Sequence, residues 1–374
     1  MSSITTTRPS AANGSARRRH NALRRRNTAV GWSFIAPNFI GFAVITMVPI
    51  ILMFYMAFTN WTALGTPSWT GLANLQRLAR NTDFRAAVAQ TFYYAIPHII
   101  LTGILALALA VLLNQKIRGV AFFRAAAFFP YITSIVAIAI VWNLLFSRAG
   151  PINELLRLIG VANPPGWTIS SHWAMPALII VGTWREMGYY MILFLAGLQT
   201  IPPELYEAAK VDGAGTWKRF LHITWPGLRP TTFFVTVMLA IQSFKVFDLV
   251  QVMTDGGPGT STWTISFFIY AKALGTSTVS PTGEFGYVSA ASLILFFICL
   301  AVTLVQFTVN RLGELDKPRW SYWPIMLGLV CFALATAGFC LRWPWPTYIG
   351  CLIGFIVCLG FSMGQSARLR RGRK

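Results

Sequence analysis

The sequence predicts an all-α polytopic membrane protein, and three observations carry that assignment. Its residues are 55% hydrophobic and only 11% charged, and the mean hydropathy of +0.57 exceeds what a domain with a polar surface carries. Apolar stretches of about 20 residues, enough to cross a hydrocarbon core of roughly 30 Å as a helix, recur along nearly the whole chain, and the period-two alternation of strands is missing. The basic residues gather beside these stretches, as membrane flanks do.

In chain order, hydropathy predicts spans near 31–58, 87–113, 120–146, 174–198, 228–253 and 287–309. Two shorter ones follow, near 324–341 and 345–361. The first run is too long for a signal-peptide core and has no small-residue cleavage site behind it, so it reads as a retained anchor. Residues 1–27 are polar, Arg-rich and without apolar periodicity, which predicts a disordered basic segment. The membrane body then covers 28–316, and 317–374 forms a two-helix extension with a basic tail. The connections are short and hold turn signals such as Asn163-Pro164-Pro165-Gly166 and Asp255-Gly256-Gly257-Pro258-Gly259.

The net charge of +20 would suit nucleic acid if it formed one patch, but its distribution speaks against that. Placing both termini in the cytoplasm puts 22 of the 31 Lys and Arg residues on that side, seven in the N-terminal segment, ten in the connections and five in the tail. That is the positive-inside bias of a multi-pass protein of the bacterial inner membrane, aided by anionic lipid, and it leaves no role for nucleic acid. The five cysteines lie in or beside apolar runs with no His or acid at metal-ligand spacing, so they read as small hydrophobes and no metal site is predicted. The chain contains no GxxxxGK[ST] phosphate loop, so any P-loop ATPase is expected on a partner.

Between the fourth and fifth spans, the segment from Ile201 to Pro226 is the most informative. Pro202 and Pro203 preset a helical turn with Glu204 and Glu207 near its positive end, and Leu205, Ala208 and Ala209 form a narrow face of small and apolar residues. Gly213 breaks this helix by taking a left-handed conformation, and a second short helix over 216–223 is expected to end at Pro226. The product is a helix-bend-helix at the membrane surface, whose small residues let another protein approach the backbone and whose Glu207 offers an acidic handle.

Glu207-Ala208-Ala209, Asp212-Gly213-Ala214, Phe220, Ile223 and Pro226 together resemble the EAA loop of ABC-importer permeases. Ile35-Ala-Pro-Asn-Phe-Ile-Gly41, Phe123-Arg-Ala-Ala-Ala-Phe-Phe-Pro130, Leu195-Ala-Gly-Leu-Gln-Thr-Ile-Pro202 and Thr254-Asp-Gly-Gly-Pro258 are similar to its sugar-type, maltose-permease-like branch. The likeness covers roughly 30–312 and implies a six-span permease core, to which the two C-terminal spans are additional. It implies that Leu205, Glu207, Ala208, Ala209, Asp212 and Gly213 dock into a cleft of an ATPase subunit. It further implies a second permease subunit, two ATPase subunits carrying ATP and Mg, an extracytoplasmic solute-binding protein, and no cofactor on this chain.

Charges inside spans are costly, about 2.5–3.5 kcal/mol at a helix centre, so Arg185, Glu186, Lys245 and Asp248 are site candidates. Lys245 and Asp248, three apart, are expected to pair across a turn, whereas the adjacent Arg185 and Glu186 are expected to face different ways and meet groups elsewhere. Trp184, Tyr189, Gln242, Ser243 and Phe244 add the aromatic faces, amide and hydroxyl that a sugar requires. By motif offset the resemblance places ligand contacts at Gly182, Arg185, Glu186, Tyr189, Gln242, Ser243 and Val246. Gly182 and Val246 offer no polar side chain, which implies a different ligand or pose. His98 reads as a helix-packing histidine. A sugar or oligosaccharide is the expected solute, with glycerol phosphate a weaker fit that Arg185 would suit. An ion-coupled secondary transporter would show inverted repeats and broken helices without a docking loop. A membrane transferase would need an acidic metal cluster or a nucleophile-base set, which eleven dispersed acids do not supply.

Overall fold

The computed structural model describes residues 30, 32–62, 65–115, 118–277 and 279–313. The predicted N-terminal basic segment and the two C-terminal spans with their tail lie outside these residues, as do four of the five cysteines. The chain divides into two units, 1–55 and 56–374.

The first unit contributes most of helix α1, Trp32–Ala57. Its middle widens into a π-helical stretch, Ala43–Met47, with the Val48 N–H reaching back five residues to the Ala43 carbonyl. Pro49 follows directly. A proline ring clashes with the carbonyl four residues back and has no N–H to donate, and a wider turn relieves both.

The second unit is helical throughout its regular elements. It comprises α2 Ala73–Arg80, α3 Thr82–Leu113, α4 Val120–Ile132, α5 Ile135–Leu145, α6 Pro151–Leu158, α7 Ala174–Gln199 and α8 Pro203–Val211. It continues with α9 Thr216–Arg219, α10 Arg229–Phe244, α11 Asp248–Thr254, α12 Ile265–Leu274 and α13 Phe285–Gly313. The α3 helix begins earlier than hydropathy predicts because Asn81 caps it, accepting the Phe84 N–H at 2.9 Å, with Asp83 in the first turn.

Among the described residues, four helices are long and apolar enough to cross a membrane alone, α1, α3, α7 and α13 through Asn310. Two further expected spans are broken. The run predicted over 120–146 turns by 98° between α4 and α5, because Pro130 weakens the last turn of α4 and Thr133 and Ser134 are extended, with ψ of 146° and 129°. The run predicted over 228–253 bends by 45° between α10 and α11, where Phe247 leaves helical geometry at φ −141° and ψ −62°. Among the described residues the count is therefore four unbroken spans, or six if each bent pair is one.

The α3 helix lies along α7, α4 crosses α7, and α10 packs on both α3 and α7. Small residues bring these backbones together, as helices in lipid require. A Cβ on Gly188 would collide with the Ala127 carbonyl of α4, and one on Gly197 would strike the Thr231 side chain of α10. The core between α3, α7 and α10 buries Ala106, Ala110, Tyr190, Met191, Phe194 and Leu239. At one end, Asn74 donates to the carbonyls of Ala57 and Thr59, and Arg77 pairs with Glu284 at 2.8 Å.

Candidate functional site

The connection between α7 and α10 forms the expected helix-bend-helix. Pro202 and Pro203 start α8 with Glu204 in its first turn, and Asp212 caps its C-terminus. Gly213, at φ +74°, donates to the Lys210 carbonyl at 3.1 Å, and Ala214 donates to the Ala209 carbonyl at 2.8 Å. These are the two closing bonds of a Schellman end. A Cβ at Gly213 would meet no other atom, so backbone conformation rather than crowding calls for glycine there.

Beyond the bend, α9 does not stop short of Pro226. It runs on through a π turn, Phe220–Thr224, into Trp225–Gly227, and breaks only at Leu228. The Trp225 N–H reaches five residues back to Phe220, which accommodates the proline that follows.

The loop has two faces. On the inner one, Tyr206 and Ile223 pack against the buried cluster that includes Leu198, Ile201 and Leu228, and the hydroxyls of Tyr206 and Thr224 meet at 2.9 Å. On the outer one, Val211 is 88% exposed, Trp217 70% and Leu205 50%, with Glu207, Ala208, Asp212 and Gly213 also exposed and Ala209 half-buried.

A second cluster stands where α3, α7 and α10 meet. Arg185 and Glu186 pair with each other, Nη1 to Oε1 at 3.6 Å, contrary to the expectation that neighbours face apart. Arginine's long side chain folds back across the 100° that separates them, a reach that Cβ directions alone do not reveal. The other carboxylate oxygen lies 3.8 Å from Nε2 of His98, a residue 1% exposed whose Nδ1 is 2.8 Å from the Ser243 hydroxyl. Ser243 also donates to the Leu239 carbonyl at 2.7 Å. Tyr94 stacks on the His98 ring at 5.0 Å. A Cβ on Gly182 would collide with the Tyr94 hydroxyl and stand 3.3 Å from Nε2 of His98, so this glycine gives the cluster its room.

Aromatic faces adjoin the ionic pair. Tyr131, at the break after α4, stacks on Tyr189 with centroids 4.4 Å apart and planes 13° from parallel, and the Arg185 guanidinium lies 5.7 Å from the Tyr131 centroid. Trp142 of α5 packs edge-on to Trp184 at 5.4 Å. Parallel rings beside a cation and a carboxylate suit a sugar, whose apolar ring face stacks while its hydroxyls hydrogen-bond.

Arg185, Glu186, Tyr189 and Ser243 are thus brought together, with Ser243 itself buried. Phe244 is buried edge-on against Phe92 at 5.1 Å, and Gln242 and Asp248 are exposed. The expected pairing of Lys245 with Asp248 does not form. The helix breaks between them, so three residues no longer make one turn. His98 packs helices as predicted and in addition faces Glu186. Sequence reasoning missed Tyr131, Tyr94 and Trp142; only Tyr131 carries a local signal, its place directly after Pro130. Among the described residues no group of three or more His, Cys, Asp or Glu could hold a metal ion.

A family model described as "Binding-protein-dependent transport system inner membrane component" matches residues 100–312. The lactose transport system permease protein LacF of Rhizobium radiobacter is 33% identical over 296 residues, covering 78% of this chain and 97% of that protein. The arabinooligosaccharides transport system permease protein AraP of Bacillus subtilis is 33% identical over 288 residues, covering 75% and 88%. Among solved structures, a bacterial ABC transporter involved in the import of the acidic polysaccharide alginate has a chain of like fold, with a TM-score of 0.68, 23% identity, and coverage of 80% of this chain and 100% of that one.

Proposed function

The chain belongs to the binding-protein-dependent transport system inner membrane components, and from that membership we propose that it translocates a sugar or oligosaccharide across the bacterial cytoplasmic membrane. The relatives named for lactose and arabinooligosaccharides support this solute class, as do the stacked Tyr131 and Tyr189 beside Arg185 and Glu186. Arg185 has its charge answered within the cluster by Glu186, which favours a neutral glycan over an anion such as glycerol phosphate.

One observation carries the mechanism. The two helices that bear the polar cluster, α7 and α10, lead directly into the two ends of the exposed loop, so a pull on the loop moves Glu186 and Ser243. In this reading Leu205, Glu207, Ala208, Ala209, Asp212 and Gly213 dock on an ATPase subunit, and ATP binding there draws the loops of two permease subunits together and alternates access. The chain itself has no ATPase site and no cofactor; ATP and Mg bind the two partner ATPases, and an extracytoplasmic binding protein delivers the solute. Both termini are cytoplasmic, which sets the loop on the ATPase side. Arg185, Glu186, Tyr189, Gln242, Ser243, Phe244 and Asp248 belong to the translocation path or its immediate support. Residues 28–316 form the permease body, and 317–374 add a membrane extension with a basic tail.

The test is accumulation of radiolabelled di- and oligosaccharides, neutral and uronate, by proteoliposomes holding the chain with its partner subunits and binding protein. ATP-dependent uptake of a neutral saccharide is expected. Uptake driven by an ion gradient without ATP would replace this reading with a secondary transporter.

A further inference from the structure

The role of His98 follows from counting protons. The Ser243 hydroxyl has one hydrogen, and its bond to the Leu239 carbonyl at 2.7 Å uses it. Nδ1 of His98, 2.8 Å from the same oxygen, is then the donor. This choice fixes the other edge of the ring, which points Nε2 at Oε2 of Glu186, 3.8 Å away. Both of these atoms are buried and neither has a hydrogen-bond partner of ordinary geometry among the described residues, the Gly182 backbone being the other polar group beside the imidazole. Buried polar groups are ordinarily paired, and with Nδ1–H donating to Ser243 the contact between Nε2 and Oε2 closes on one further proton, carried either by the carboxyl group, which then donates to Nε2, or by the imidazolium, which then donates to the carboxylate.

We propose that His98 is the positioning residue of Glu186, aiming the carboxylate of α7 by bracing it through the imidazole against Ser243 of α10. Three features other than the contact itself support this role. Tyr94 stacks on the ring and Gly182 leaves the space that Nε2 occupies, so the imidazole is held in plane and in place. His98 sits on α3, which does not enter the exposed loop, whereas Glu186 and Ser243 sit on the two helices that do. The imidazole therefore reaches both loop-linked helices from a third that is not joined to the loop. The remaining ionisable groups near the carboxylate are Arg185 of the same helix at 3.6 Å, Tyr94 behind the ring, Tyr190 of the same helix, and the stacked Tyr131 and Tyr189 beside Arg185. None of these joins α7 to α10.

Two conservative variants separate positioning from packing, because glutamine reproduces the reach of Nε2 and asparagine that of Nδ1. The assembled complex in nanodiscs is treated with dicyclohexylcarbodiimide, a hydrophobic carboxyl reagent, and the adduct at Glu186 is followed by peptide mass spectrometry. A positioned carboxylate resists modification, so labelling several-fold faster than in the native protein is expected for His98→Leu and His98→Asn, with His98→Gln close to the native rate. In ATPase stimulation by the liganded binding protein, His98→Asn should raise the half-saturating concentration several-fold and change the maximal rate little, and His98→Gln should restore both. Equal labelling of the glutamine and asparagine variants, or protection by asparagine alone, overturns the proposal and leaves His98 as a partner of Ser243 only. The labelling needs no transported solute, so its failure is distinguishable from failure of the sugar-transport reading, on which only the stimulation assay rests.

Discussion

Tyr206 of α8 and Thr224 of the following π turn join hydroxyl to hydroxyl at 2.9 Å, which fastens the two arms of the loop to each other beneath its exposed face. Thr224 is buried, so removing one partner strands a polar group and removing both does not. Tyr206→Phe should therefore lower stability by about 1–3 kcal/mol, while Tyr206→Phe with Thr224→Val should recover most of that loss. Thermal unfolding of the purified chain measures the cycle. Additive losses would show that the hydroxyls do not act as a pair.

The bend at Gly213 separates conformation from space. With φ at +74° and nothing within 4 Å of an added Cβ, Gly213→Val should abolish solute-stimulated ATPase activity while the complex still assembles, and Gly213→Asn should retain part of it, since asparagine tolerates the left-handed region. Normal stimulation in the valine variant would remove the loop from the coupling path.

This bend was legible in the sequence because proline, glycine and a short helix obey local rules. So were the four long apolar helices, whose length and composition are additive along the chain. The turn of 98° at Thr133 was not, because hydropathy is insensitive to ψ and the residues on both sides of the break are equally apolar. The Arg185–Glu186 pair was misread for a related reason: helix geometry gives Cβ directions, whereas a guanidinium four bonds further out answers to its neighbours. The stacking of Tyr131 on Tyr189 joins positions 58 residues apart, and nothing in one sequence marks that pairing.

For the polar cluster, Glu186→Gln and Tyr189→Ala should each depress saccharide uptake per assembled complex by tenfold or so, the effect of about 1.4 kcal/mol, with basal ATPase activity maintained. A purely architectural ion pair predicts another pattern. Breaking it would cost about 3–5 kcal/mol of stability and reduce the yield of complex first. Uptake and yield measured on the same membranes decide between the two.

The crossing of α4 over α7 makes a sharper demand on side-chain size. Gly188→Ala should prevent assembly, since its Cβ would overlap the Ala127 carbonyl, whereas Gly103→Ala should assemble normally, its Cβ standing 3.9 Å from Leu239 Cδ1. Complex recovered by size-exclusion chromatography gives the comparison, and equal recovery would contradict the packing at this crossing.

Arg77 and Glu284 pair at 2.8 Å beside Tyr287, and the hydrogen bond to Glu284 raises the Arg77 pKa. Their side chains are 57% and 34% exposed, so solvent screens the pair and its loss should cost no more than about 1 kcal/mol. Arg77→Gln should shift thermal unfolding only slightly, and less again in high salt. A large, salt-independent loss would mean that the pair is shielded in the assembled transporter.

The π turns at Ala43–Met47 and Phe220–Thr224 each precede a proline by two residues, and each accommodates one residue more than an α-helix of the same rise. What these segments hold constant is therefore a number of residues. Deleting a single residue within Phe220–Thr224 closes the π turn into an ordinary α-helical one and brings the Pro226 ring back against a carbonyl. In the loop, that clash would fall directly beside Thr224, which holds the arm to Tyr206. The turn is thus constrained in its residue count by Pro226 and in its sequence by Thr224 and Ile223, which face the core.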